Sequence, residues 1–71
     1  MTTAELLALR VGQRVRENLH DLTGEVVASR DGHIRIIWDN GGDRVVNPAE
    51  DSSDLDRFAA ALALLGRRSS P

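Results

Sequence analysis

Apolar and polar residues alternate most regularly in "EVVASRDGHIRIIWD", residues 25–39. Asp31-Gly32 sits at its centre, and both residues tolerate positive φ, so the segment predicts a β-hairpin with a two-residue turn. A strict ladder from that turn pairs Arg30 with His33, Ser29 with Ile34, Ala28 with Arg35, Val27 with Ile36, Val26 with Ile37 and Glu25 with Trp38. Paired residues share a face. One face then carries Val27, Ile34, Ile36 and Trp38, and the other Val26, Ala28 and Ile37. Both faces are partly apolar, which suits a small curled sheet covered by a helix better than a flat sheet in water. "WDNGGD" follows, and Asn40-Gly41 is a strong turn dipeptide, so the chain reverses into a further strand carrying Val45 and Val46. Asn47-Pro48 ends that strand, because proline cannot donate to a ladder.

Upstream, Gly12 closes a short apolar segment, and "QRVRE" alternates around Val15 as a first strand. "NLHDLTG", residues 18–24, reads as a loop anchored by Leu19 and Leu22. Residues 2–9 form a short helical segment with Thr3 as its cap. Downstream, residues 53–65 predict a C-terminal helix. Ser53 caps it, with Asp56 in the capping-box position, and acids at 50, 51, 54 and 56 suit the positive end of its dipole. At about 100° per residue, Leu55, Phe58, Ala59, Leu62 and Leu65 make one stripe, with Leu64 and Ala60 away from it. Gly66 is the expected stop, and residues 67–71 are expected as a flexible tail.

Composition narrows the chemistry. Seventy-one residues allow a single domain, expected over residues 1–66, and a chain this short buries only about 60% of the surface its unfolded form exposes. There is no cysteine, so no disulfide staples it, and His20 and His33 alone are a poor start for a zinc site. All nine basic residues are arginine, and the net charge is −2. From Arg10 to Asn47 six arginines balance six acids, which argues against a generic nucleic-acid coat. "ELLALRV" is too short for a secretion signal and "FAAALALLG" too short for a membrane span. A cytoplasmic location and no membrane association are expected.

"VGQRV", "TGEVV" and "IRIIWDNGGDRVV" resemble small SH3-like barrels, most closely those of the Mib/Herc type. There a glycine-led first strand precedes a G-x-V strand and a V-x-W-D-x-G hairpin. The matching positions are Gly12, Val15, Gly24, Val26, Ile36, Trp38, Asp39, Asn40 and Gly41. The sequence is also similar to KOW and Tudor-like modules and to short bacterial proteins of unknown function built on the same barrel. The resemblance covers about residues 9–51. It implies a mainly β fold: a small antiparallel SH3-like barrel of four or five strands, with a C-terminal α-helix and a short N-terminal helical segment. Such barrels bind peptides, RNA, DNA or other subunits, so the resemblance fixes fold more than function. The chain lacks the Lys-rich loops of nucleic-acid-binding KOW modules. With Trp38 and Phe58 as its only aromatics, it also lacks the aromatic cage of methyl-lysine readers.

Trp38 is expected in the core. Asp39, Asn40 and Asp43 are expected to cap their turn, since their spacing is not that of a calcium loop. Catalysis would need a nucleophile, a base and an orienting group, and no such set is visible, so neither enzyme activity nor a cofactor is expected. The candidate binding residues are Arg14, Arg16, Arg30, Arg35, Arg44 and His20. Arg14 and Arg16 share a face of the first strand, and Arg30 and Arg35 a face of the hairpin. Converging, they would hold phosphates or carboxylates; the plainer reading pairs them with Glu17, Glu25 and Asp43. Leu64, Ala60 and the N-terminal segment are leftover apolar surface suited to self-association. The expected function is a non-enzymatic adaptor. It would engage a protein partner through edge strands or the groove beside "NLHDL", with arginines reading acidic groups. The alternatives are a nucleic-acid-binding accessory module in transcription or translation, and a small oligomeric structural or phage-type accessory protein.

Overall fold

The computed structural model describes residues 1–67. In chain order the elements are α1 (Thr3–Leu7), β1 (Gln13–Glu17), β2 (Leu22–Arg30), β3 (His33–Trp38), β4 (Asp43–Val46), α2 (Ser52–Ala61) and β5 (Leu62–Arg67). The fold is mainly β. Its five strands make one antiparallel sheet in the order β4-β3-β2-β1-β5, and the sheet is open rather than closed on itself. Among the described residues no helix is long and apolar enough to cross a membrane.

The hairpin turns at Asp31-Gly32, with φ of 53° and 79° as the turn requires. Its first rungs are those expected: Arg30–His33, Ser29–Ile34 and Ala28–Arg35. The register then shifts, and the next rungs are Val26–Ile36, Glu25–Ile37 and Gly24–Trp38. Val27 is the extra residue of a bulge. That corrects the face assignment: Val26, not Val27, joins Ile34, Ile36 and Trp38 inside, while Val27 is 41% exposed. The bulge sorts the apolar residues onto one covered face and leaves a largely solvated one, the usual antiparallel arrangement.

Val15, Val26, Ile34, Ile36, Trp38 and Val46 pack from the sheet, Leu6 and Leu9 from α1 and the segment after it, and Leu55 and Ala59 from α2. Thr2, not Thr3, caps α1, in a reciprocal capping box with Glu5. Thr3 instead donates its hydroxyl to Asp56 on α2, which takes Asp56 away from the capping role expected of it. Asp51, two residues earlier than Ser53, caps α2 by accepting from the Ser53 N–H at 2.8 Å.

The C-terminal helix is shorter than expected. It ends at Ala61; Leu62 is extended, and residues 62–67 run antiparallel to β1, with Glu17 opposite Leu62 and Arg14 opposite Gly66. Helix propensity is a weak prior against tertiary pairing. Here the ladder to β1 and the burial of Leu62, 2% exposed, outweigh it. Leu65, placed on the buried stripe by helical spacing, is 54% exposed. Of the expected flexible tail, residue 67 ends β5, and residues 68–71 lie outside the described residues.

Candidate binding groove

Glu17 organises one side of an apolar groove. It faces inward from the end of β1 and is 5% exposed. Its Oε1 accepts from the Leu19 N–H at 2.7 Å, and its Oε2 accepts from the His20 N–H at 3.0 Å and faces His20 Nδ1 at 2.8 Å. A carboxylate only accepts, so Nδ1 carries the proton and Nε2 is left for another partner. Burial pushes the Glu17 carboxyl up. The hydrogen bonds from the His20 ring and the two amides outweigh it, and its pKa lies below the ordinary glutamate value. This carboxylate ties down the β1–β2 loop, residues 18–21, and turns Leu19 outward, where it is 75% exposed.

The loop faces α2 across an apolar groove of about 320 Å³. Leu19, His20 and Leu22 form one wall, Asp54, Arg57, Phe58 and Ala61 the other, and Trp38 lies between them. Trp38 is itself 7% exposed, in keeping with its expected core position. Arg44 closes the β4 end. Its guanidinium lies 4.8 Å from the centre of the Phe58 ring and donates to Glu50 Oε1 at 2.9 Å, and that hydrogen bond leads the causes holding the Glu50 carboxyl below its ordinary pKa. Asp43, at the same end, is paired with Arg35 at 3.3 Å.

The candidate arginines do not form one bare patch. Arg14 binds Asp39 at 2.6 Å and lies 3.8 Å from Glu25; Arg16 binds Asp21 at 2.5 Å; Arg30 lies 3.9 Å from Asp31. Arg44 points inward beneath α2, whereas Arg16, Arg30 and Arg35 are exposed. Of the six candidates only His20 and Arg44 line the groove. Sequence reasoning missed Arg57, Phe58 and Ala61 as one wall, although their helical spacing from Asp54 was available. It also paired Glu17 with arginine rather than with its own loop. Asp39 accepts from Thr23 Oγ1 at 2.7 Å, and Asn40 Oδ1 accepts from the Gly42 N–H at 3.0 Å, so both hold the turn.

The sheet edges are partly occupied. Arg44 donates to the carbonyl of Val45 on β4 at 2.6 Å, and the Met1 nitrogen donates to the carbonyl of Leu62 on β5 at 2.9 Å. Compared with known proteins, the chain matches no family model, no curated protein and no solved structure.

Proposed function

We propose that this chain is a non-enzymatic adaptor that engages a protein partner, and that the partner docks in the groove between the 18–21 loop and α2. The observation that carries this reading is the groove itself. It is mostly apolar, it has the volume of a small ligand pocket, and an outward leucine on a loop pinned by a buried carboxylate stands at its rim. A leucine at 75% exposure is unremarkable for one residue, but this one is held at the rim of an apolar groove by a loop that the hydrogen bonds of a buried glutamate fix in place. Between the two routes expected from sequence, the occupied edge carbonyls favour the groove over strand addition.

We further infer that the open sheet is the curled sheet of an SH3-like module. A meander whose last strand returns to pair with its first supports that reading. The nucleic-acid reading draws less support, because the candidate arginines are engaged by carboxylates.

The test is partner recovery from the native host with the wild-type chain and with Leu19→Asp. A partner retained by the first and lost by the second supports the groove. Equal recovery by both, or recovery of nucleic acid whose binding collapses between low and moderate salt, overturns it.

A further inference from the structure

We propose that the groove takes an amphipathic helix of another protein, one carrying an acidic and a basic residue one turn apart beside a bulky apolar side chain. The inference rests on the groove reading above and names the occupant.

The shape comes first. Asp54, Arg57, Phe58 and Ala61 stand at i, i+3, i+4 and i+7 of α2, so one full face of that helix forms a wall about 10 Å long. A channel that follows a helix for two turns accepts a second helix laid alongside, with its apolar stripe toward Trp38 and Phe58.

The charges come next. Around the groove Glu17 is engaged by His20, Asp43 by Arg35, and Arg44 by Glu50 and the Phe58 ring. Among the described residues Asp54 and Arg57 have no ion-pair partner, and both are exposed on the groove side of α2. Residues at i and i+3 of a helix are about 5–6 Å apart. A neighbouring helix offers the same spacing at its own i, i+3 and i, i+4 positions, whereas same-face residues of an extended segment stand about 7 Å apart. Opposite charges on a docked helix would therefore meet both groups in register. Among the described residues, the helices of a second copy have no free apolar face to offer: Leu6 of α1 and Leu55 and Ala59 of α2 are buried in their own core.

The test uses stapled helices about three turns long with one fixed leucine anchor. They carry the four combinations of Glu and Lys at the two flanking positions one turn apart, and Trp38 fluorescence reads binding. On the wild-type chain at low salt, one mixed arrangement should bind about tenfold more tightly than its reverse, the sum of several modest ion-pair differences. That preference should invert in the Asp54→Arg/Arg57→Asp double variant, and all binding should vanish in Leu19→Asp. Equal binding across the panel, lost in Leu19→Asp, overturns the helix assignment and leaves the groove standing. Binding of none of the helices, or binding that survives Leu19→Asp, overturns both. Concentration-dependent sedimentation of the chain alone, abolished by Leu19→Asp, would make the occupant a second copy and overturn the assignment.

Discussion

The indole of Trp38 rests on Gly24, its cross-strand partner. A Cβ on Gly24 would stand 2.7 Å from Cε3 of the ring and 2.6 Å from the Ile37 carbonyl oxygen. The backbone oxygen cannot give way without disturbing the ladder, and the ring is held in the core. Gly24→Ala should therefore destabilise the fold by about 1–3 kcal/mol, the usual cost of overpacking. A thermal melt would read this as a drop of about 4–8 °C per kcal/mol for a domain of this size. An unchanged melting temperature would show that the indole does not need the glycine.

The same contact marks how far the sequence could be read. The Asp31-Gly32 turn is local chemistry, so the hairpin and its first rungs were legible. The rungs beyond Val27 were not, because a bulge is chosen by which residues the core accepts, and no dipeptide signals it. With a strict ladder Glu25 faces Trp38, and Gly24 has no evident purpose; the shift brings the glycine beneath the ring. A matched pair of substitutions tests the shift. Val26→Thr places a hydroxyl in the core, since Val26 is 0% exposed, and should cost about 1–3 kcal/mol. Val27→Thr, on a side chain 41% exposed, should stay within about 0.5 kcal/mol. Urea denaturation of both variants gives the comparison, and a reversed order would restore the unshifted ladder.

The C-terminal segment was misread for a related reason. Leu55, Phe58, Ala59, Leu62 and Leu65 do fall on one helical stripe, and the helical spacing holds as far as Ala61. What spacing cannot reveal is that β1 lies open on one side and takes residues 62–67 as its partner. Helix and strand predict different costs here. In the strand, Leu62→Ala should cost about 2–5 kcal/mol and Leu65→Ala less than about 0.5 kcal/mol. A helix running through residue 65 would make both expensive. Chemical denaturation of the two variants distinguishes the cases.

The binding groove was the least legible feature, because Glu17 becomes interesting only once it is buried. Its pKa is lowered in the fold, so its contribution is fully present above the unfolded value of about 4.3 and is lost as pH falls through the lower folded value. Below about pH 4 the 18–21 loop should loosen, seen as faster exchange of the Leu19 and His20 amides. Glu17→Gln should remove that part of the acid dependence. Glu17→Ala, which strands two amide donors, should cost about 1–3 kcal/mol at neutral pH. A carbon-13 titration of the Glu17 carboxyl at or above the ordinary glutamate value would contradict this picture.

Arg44 joins three features: the edge of β4, the Phe58 wall of the groove and the Glu50 carboxylate. It sits on the inward face opposite Ile36, where its stem packs while its head reaches α2. Because the guanidinium is planar, it can lie over a ring and donate sideways at once, which an ammonium does poorly. Arg44→Lys should therefore behave more like Arg44→Ala than like the wild type. A double-mutant cycle between Arg44→Ala and Phe58→Leu should return a coupling of about 0.5–1 kcal/mol. In Arg44→Ala the Glu50 carboxyl, now without its leading hydrogen bond, should titrate closer to its ordinary value. The Val45 carbonyl loses its donor in the same variant, so strand-to-strand association through β4 should rise, visible as faster aggregation at equal stability. A coupling near zero together with an unmoved Glu50 titration would leave the arginine as surface charge only.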